Sequence, residues 1–479
     1  MRDEVLSLYH GLPASARSAA ATLRGLYLHL WRYGPESGRL RAQTLERDGW
    51  TAEQWRTWRE ERLAYVLHRA ATRVPYYREQ WARRRAAGDR SSWEILDHWP
   101  VLEKDAVREH PRAFLADDCH PRRMFHEQTS GTTGKPLDLW RTRLTVSTLY
   151  ALSDARTDAW HGVPPRARYA RLGGQLVTPV RQRRPPFWVW NVVMRQLYMS
   201  TYHLAPDLIG YYLDALQRYR VVYLAGYTSS LVALAQEAIR LGRGDLGMMI
   251  AFTNAEPLHP DQRTVISEAF RCPVRETYGQ TETVAYGSEC PAGRLHLWPE
   301  VGHLEVWVHD GPAPAGTAGE FIGTGLLNAD MPLIRYRVGD RGRLAPPDDH
   351  CTCGRRLPLI SAVEGRTNDV LVTRDGRQVW WLNPVFYGQP IRQSQIAQDS
   401  LQRLTVRVAP ADGFGPGNAR AIVERLRSRM GDIEVDLQLV DEVPRSPNGK
   451  LKAIVCNLSA QEREAALRGG GGATAGATS

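Results

Sequence analysis

The chain has no run of about eighteen apolar residues, which excludes a conventional membrane-spanning helix. Its start, Met1-Arg2-Asp3-Glu4, lacks a basic segment leading into an apolar stretch and a small-residue cleavage site. No secretory signal is expected, and a cytoplasmic location is. Cysteine is scarce, six in 479 residues, and a reducing compartment disfavours pairing them as disulfides. Zinc-finger spacing, helix-turn-helix patterning and RNA-binding aromatic motifs are all missing, which argues against nucleic acid despite a net charge of +10. The basic residues are nearly all Arg and spread along the chain, bunching only at Arg83-Arg84-Arg85 and 181–184. A solvated arginine-rich surface accounts for most of this, and the residual field favours small polyanions. No internal repeat is visible.

What is present is the composition of a globular protein with a real core, 43% apolar and 24% charged. The length suggests about three domains, or one large domain with a small one. The first hundred or so residues read as helical, with Leu63, Val66, Leu67 and Ala70 at helix-like spacing. From Tyr150 to Arg271 helices alternate with short apolar strands, among them 221–225 and 248–252. That alternation implies a largely parallel sheet covered by helices. After Pro299 the pattern turns to short, turn-bounded strands at 302–309, 320–325 and 339–344. Beyond residue 368 a strand at 404–408, a helix at 419–430 and a strand at 433–440 suggest a small α+β unit. The expected organisation is therefore α/β: a large N-terminal domain (1–367) with mainly parallel sheets, helices and a β-rich subdomain, then a small mobile α+β C-terminal domain (368–460). A disordered tail is expected over 461–479, which ends in Gly, Ala, Thr and Ser.

Five segments carry chemistry. Gln128-Thr129-Ser130-Gly131-Thr132-Thr133-Gly134-Lys135-Pro136 combines hydroxyls with glycines that let backbone N–H groups approach an anion closely. It is not an ordinary nucleotide P-loop, because Pro136 follows Lys135 where Ser or Thr is required. Downstream stand Tyr278-Gly279-Gln280-Thr281-Glu282, Tyr336-Arg337-Val338-Gly339-Asp340, Glu364-Gly365-Arg366-Thr367-Asn368-Asp369, and Pro444-Arg445-Ser446-Pro447-Asn448-Gly449-Lys450. Each alone reads as an ordinary turn.

In this order, from about Phe125 to Lys452, the set resembles the acyl-adenylate-forming superfamily of acyl-CoA ligases, nonribosomal adenylation domains and luciferases. Its length, the Ala255-Glu256-Pro257 segment and its cysteine pattern are similar to the phenylacetate-CoA ligase and CapK-like branch. The resemblance implies a ligase that activates a carboxylic acid, aryl or arylalkyl by analogy, with ATP and Mg²⁺, and then transfers it to coenzyme A. An alternative with the same first step passes the acyl group to an amine, a hydroxyl or a carrier protein, as in antibiotic or polysaccharide biosynthesis. A non-catalytic scaffold is the remaining class, and intact Glu282, Asp340 and Lys450 argue against it.

By the same resemblance, Thr129 to Lys135 would form the phosphate loop, and Ala255, Glu256 and Pro257 would line the adenine pocket. Tyr278 with Gly279 would lie against adenine, Thr281 would touch the α-phosphate, and Glu282 would hold Mg²⁺. Asp340 would accept the ribose hydroxyls, with Arg337 and Arg366 nearby. Lys450 would bridge the carboxylate and the α-phosphate, and Asn368 or Asp369 would be the hinge. Gly226, Tyr227 and His203 are expected at the acid pocket, with Arg171 a further candidate. Arg374, Arg377 and Arg392 are candidates for the coenzyme's 3′-phosphate.

Cys290, His296, Cys351 and Cys353 offer three thiolates and an imidazole, the donor set of a closed structural zinc site. His303 and His350 compete as the fourth ligand. Such a site is expected to stabilise rather than catalyse.

Overall fold

A computed structural model describes residues 2–129, 136–256, 258, 260–308, 311–363, 371–379, 382–386, 388–441, 443–444 and 454–469. The expected helical start is present as Arg2–Gly11, Ala14–Arg32, Ser37–Arg47, Ala52–Arg73 and Pro75–Ala86. The helix Ala52–Arg73 begins where Thr51 and Gln54 exchange side-chain and backbone bonds in a capping box. Its Val66, Leu67 and Ala70 are buried in a core shared with Tyr77, Trp99, Tyr336 and Phe321.

Thirteen strands make one sheet whose two halves differ in direction. In the first half, Gln196–Ser200, Tyr169–Gly173, Tyr223–Tyr227, Ala251–Asn254 and Val274–Gly279 lie side by side and parallel. These strands alternate cleanly. Ala170, Leu172, Leu197, Leu224 and Ala251 face a core capped by the helices Pro206–Arg218, Thr228–Arg240 and Pro260–Phe270. Tyr169, Arg171, Tyr198, Ala225 and Phe252 face the other way, toward a cavity.

At Val274–Gly279 the sheet changes character, because this strand pairs antiparallel with Tyr286–Glu289. From there antiparallel neighbours continue through Leu295–Leu297, Leu359–Val363, Tyr336–Leu344, Ala318–Gly325 and Gly302–Val308. The β-rich segment is thus the second half of one sheet rather than a separate unit. Helices and strands joined in one layered body are the expected α/β class.

The last described segment is a four-stranded sheet in the order Glu434–Leu439, Arg403–Pro410, Ile391–Gln398, Ile454–Cys456. Ile422, Leu426 and Met430 of the helix Pro416–Met430 pack on its Ile396, Leu404 and Val406. Tyr202, in the turn after Gln196–Ser200, joins that core, and Arg377 donates to the Tyr202 carbonyl at 2.7 Å. The tail expected over 461–479 begins instead as the helix Ala460–Gly469. Ala466 packs there against Val372 and Leu458. Among the described residues no helix is long and apolar enough to cross a membrane.

Candidate active site

A cavity of about 1580 Å³ runs over the exposed face of the parallel strands to the junction of the two sheet halves. Ligands of open α/β sheets commonly bind at the carboxyl ends of the strands. Here those ends carry Tyr227, Asn254, Ala255, Glu256 and Gly279, all lining the cavity. Ala255 has φ +64°, a left-handed conformation uncommon for a residue with a Cβ. Thr228 Oγ1 donates to the Glu256 carbonyl at 3.0 Å and fixes that turn.

The turn between Val274–Gly279 and Tyr286–Glu289 projects Thr281 and Glu282 into the junction. Gly279 is required there, since a Cβ would come within 2.9 Å of the Tyr286 ring. Glu282 is held through one oxygen: the Tyr336 hydroxyl donates to Oε1 at 2.9 Å and Lys104 Nζ lies 3.7 Å from it. The second carboxylate oxygen is left for a ligand at the cavity wall, as a divalent cation held through one or two carboxylates requires. Nearby, Gln280 Nε2 is buried without a hydrogen-bond partner among the described residues, a donor suited to a polar ligand.

Asp340 arrives from the opposite strand. Between Tyr336–Leu344 and Ala318–Gly325 the register jumps from Arg337↔Ile322 to Arg341↔Glu320, and Gly339 takes φ +83°. Such an irregularity re-aims a side chain, and Asp340 meets the Tyr278 hydroxyl at 3.0 Å within the cavity. Thr129 closes the base of a hairpin formed by Phe125–Gln128 and Asp138–Arg141, its Oγ1 accepting from the Leu137 N–H at 2.8 Å.

Thr129, Ala255, Glu256, Tyr227, Tyr278, Gly279, Thr281, Glu282 and Asp340 thus share one cavity. Ser130, Gly131, Thr132, Thr133, Gly134, Lys135, Pro257, Arg366, Asn368 and Lys450 lie outside the described residues. Ile454, four residues beyond Lys450, lines the cavity. Three expectations are corrected. His203 is walled off: its ring stacks on Phe187 and its nitrogens bond Ser200 Oγ at 2.9 Å and the Pro179 carbonyl at 3.2 Å. Burial pushes its pKa down to about 3, so it is a neutral structural residue. Arg337 is engaged by Glu103 and Glu320 and does not line the cavity. Gly226 acts through packing, because a Cβ would sit 2.7 Å from the Leu172 carbonyl on the neighbouring strand.

Two residues escaped the sequence reading. Arg141 binds Glu127 at 2.6 Å, Thr283 Oγ1 at 3.1 Å and the Thr281 carbonyl, tying the hairpin to the Glu282 turn. No motif marks it. Lys104 had a signal, being one of four lysines among 62 basic residues.

Away from this cavity, Cys290, His296, Cys351 and Cys353 converge, their ligand atoms all within 4.8 Å of one another. Cys290 Sγ and Cys351 Sγ are 3.5 Å apart, and Cys353 Sγ lies 3.4 Å from His296 Nε2. A disulfide would need about 2.05 Å, whereas thiolates and an imidazole around one tetrahedral metal sit close to the observed spacing. Burial, with Arg355 next in effect, lowers the His296 pKa to about 4, so the imidazole is neutral, as a metal ligand must be.

Residues 371–457 match the CapK C-terminal domain. Protein CapK of Staphylococcus aureus is 24% identical over 404 residues, covering 80% of this chain and 85% of that protein. The phenylacetate-coenzyme A ligase of Thermus thermophilus is 28% identical over 340 residues, 67% of this chain and 72% of that enzyme. The chain is thus similar to acyl-adenylate-forming ligases over most of its length. Its likeness is to phenylacetate-coenzyme A ligases and to CapK. The fold is also that of a 2-hydroxyisobutyryl-CoA ligase solved in complex with 2-HIB-AMP and CoA in the thioesterification state. That structure gives a TM-score of 0.55 at 19% identity, covering 86% of this chain and 91% of the other.

Proposed function

We infer that this protein is an AMP-forming ligase that activates a carboxylic acid with ATP and transfers the acyl group to coenzyme A. The observation that carries the reading is the gathering of Thr281, Glu282, Asp340, Tyr278 and Ala255 around one cavity that continues into a deep, tyrosine-lined pocket. In the first step a carboxylate oxygen of the acid bonds to the α-phosphorus of ATP and pyrophosphate leaves. Positioning and charge stabilisation are what the protein must supply. Glu282, braced by Tyr336, would hold the Mg²⁺, which neutralises phosphate charge when bound. Asp340 would accept the ribose hydroxyls and Tyr278 would lie against the base. Lys450, on a segment leading to the cavity-lining Ile454, would bridge the carboxylate and the α-phosphate. In the second step the thiol sulfur attacks the acyl carbon, AMP leaves with the bonding pair, and the thiol proton passes to solvent.

The unit from about residue 368 onward would serve as the movable lid, with Asn368 or Asp369 at its pivot. An aryl or arylalkyl acid fits the tyrosine-lined pocket. Reduced, metal-spaced thiols and a need for ATP suit a cytoplasmic setting. The four-residue cysteine and histidine cluster would hold a structural zinc.

One observation favours a second reading, a coenzyme-A-independent acceptor such as an amine or hydroxyl. Arg377, expected to face the coenzyme's 3′-phosphate, is buried and bonded to Asp375 and to the carbonyls of Tyr202 and Arg429. Product analysis with and without coenzyme A separates the two acceptors. The shared first step is tested by acid-dependent exchange of labelled pyrophosphate into ATP. Lys450→Ala is expected to suppress exchange by about a hundredfold or more while ATP still binds. Unchanged exchange in that variant would remove Lys450 from the chemistry.

A further inference from the structure

The acid end of the cavity contains a cation for which the described residues supply no counter-ion. Arg171 is the third residue of Tyr169–Gly173, and its side chain projects into the cavity. The strand registers place Tyr198 directly opposite on one side and Ala225 on the other, with Phe252 one strand further. Among the described residues its guanidinium makes no hydrogen bond and no ion pair. Its side chain is exposed within the cavity.

Three buried arginines of the chain are paired instead. Arg156 binds Asp48 and Glu300, Arg335 binds Asp97 and Glu305, and Arg141 binds Glu127. A guanidinium cannot lose its proton, so Arg171 presents a permanent positive charge to whatever occupies the cavity. The groups that act on it most are the phenols of Tyr198, Tyr169, Tyr150 and Tyr227. Burial raises the Tyr198 phenol to about 12 despite the pull of Arg171, so it carries no negative charge at neutral pH. Asp154 and Asp158 also line the cavity, but the cation acting on both is Arg41.

Position decides what Arg171 is for. The nucleotide end of the cavity is marked by Tyr227, Asn254 and Ala255 at the strand ends. Arg171 pairs with Ala225, two residues before Tyr227, which sets it about 7 Å down the sheet from that end. A carboxylate poised at the α-phosphate is therefore separated from Arg171 by roughly the span of an aromatic ring. We propose that Arg171 is a specificity residue that pairs with a second anionic group on the acid, making the substrate class an aryl or arylalkyl acid with a carboxylate or other anionic substituent remote from the carboxyl that is activated. The phenols around Arg171 supply the remaining donors, and Phe252 and Ala225 supply apolar wall for the ring.

This inference rests on the acid-activating reading, and the test keeps the two apart. The full-length protein is assayed by pyrophosphate exchange with 4-carboxyphenylacetate, 4-methylphenylacetate and phenylacetate, beside Arg171→Leu and Arg171→Lys. Wild type is expected to favour the diacid over its methyl counterpart by at least roughly thirtyfold in kcat/KM, the scale of a charged pair shielded from bulk water. Arg171→Leu should erase that ratio through KM while leaving kcat with the neutral acids within a few fold, and Arg171→Lys should restore part of it. A ratio that survives in Arg171→Leu, or a wild type that prefers neutral acids, overturns the proposal. Equal loss of all acids in Arg171→Leu also overturns it, because Arg171 would then grip the reacting carboxylate. Thermal stabilisation by each acid, measured without ATP, reads the same pairing independently of catalysis. Arg171-dependent stabilisation by the diacid with no exchange for any acid would sink the ligase reading and leave the anion pocket standing.

Discussion

At the scale of single residues, the site is built from side chains whose charge the fold controls by partners or by burial. Asp158 shows the second case. It stands in a five-residue π-helical turn, Asp154–Asp158, on the cavity wall, a geometry often retained at functional sites. Burial, with Asp154 adding to it, raises the Asp158 carboxyl to about 7 from an ordinary 3.8. Between those values the folded protein holds a proton that the unfolded chain has released. Stability from this group is thus present at low pH and lost as pH rises toward 7. An asparagine in its place has nothing to titrate. Asp158→Asn should therefore raise the melting temperature by a few degrees at pH 8, a gain of about 2–4 kcal/mol at most, and by almost nothing at pH 4. Paired melting curves across that range check it, and a gain that is constant with pH would show that ionisation of Asp158 is not what the fold resists. The opposite sign applies to His203, whose lowered pKa removes stability as pH falls from about 6.5 toward about 3.

At the scale of elements, what could be read from sequence was local. The strands near 221–225 and 248–252 and the helix over 419–430 announce themselves by periodicity and appear as Tyr223–Tyr227, Ala251–Asn254 and Pro416–Met430. Glu282 and Asp340 were legible because their flanking residues form ordered motifs. Pairings between distant segments were not legible. Nothing in the sequence shows that Val274–Gly279 joins a parallel half-sheet to an antiparallel one, or that Arg337 points away from Asp340 toward Glu103 and Glu320. His203 misled because a polar residue after a strand looks like pocket wall, and only the packing of Phe187 and Pro179 encloses it. Gly226 teaches the same lesson. An added Cβ would meet the Leu172 carbonyl at 2.7 Å and the Leu172 nitrogen at 3.2 Å, and neither backbone atom can swing aside. Gly226→Ala should push Tyr223–Tyr227 off Tyr169–Gly173, costing about 1–3 kcal/mol and raising KM for the acid more than KM for ATP. Gly244→Ala, with nothing within 4 Å of the new carbon, is the control expected to change neither.

At the scale of the molecule, the question is what holds the helical start, the parallel half-sheet and the antiparallel half-sheet in one frame around the cavity. Arg156 is one fastening, joining Asp48 after the third helix to Glu300 between the strands Leu295–Leu297 and Gly302–Val308. The cysteine and histidine cluster is the other. Cys290 precedes the strand Leu295–Leu297 and His296 sits within it, while Cys351 and Cys353 lie on the loop before Leu359–Val363, its neighbour in the sheet. Trp55 from the helix Ala52–Arg73 and Trp160 from the turn after Asp158 pack into the same small core as Cys290 and Cys351. A metal at this point would cross-link the loop to the neighbouring strand within that core. Structural zinc contributes directly to folding energy, and its removal should loosen the whole assembly rather than the chemistry alone. Purified protein is expected to contain about one zinc per chain, and Cys351→Ser should lose it together with several degrees of melting temperature. A strong chelator should reproduce that drop in wild type, and added zinc should reverse it in wild type but not in Cys351→Ser. If metal-replete wild type contains no zinc, or if Cys351→Ser melts unchanged, the four side chains are a thiol-rich patch of ordinary core and the fastening falls to ion pairs such as those of Arg156.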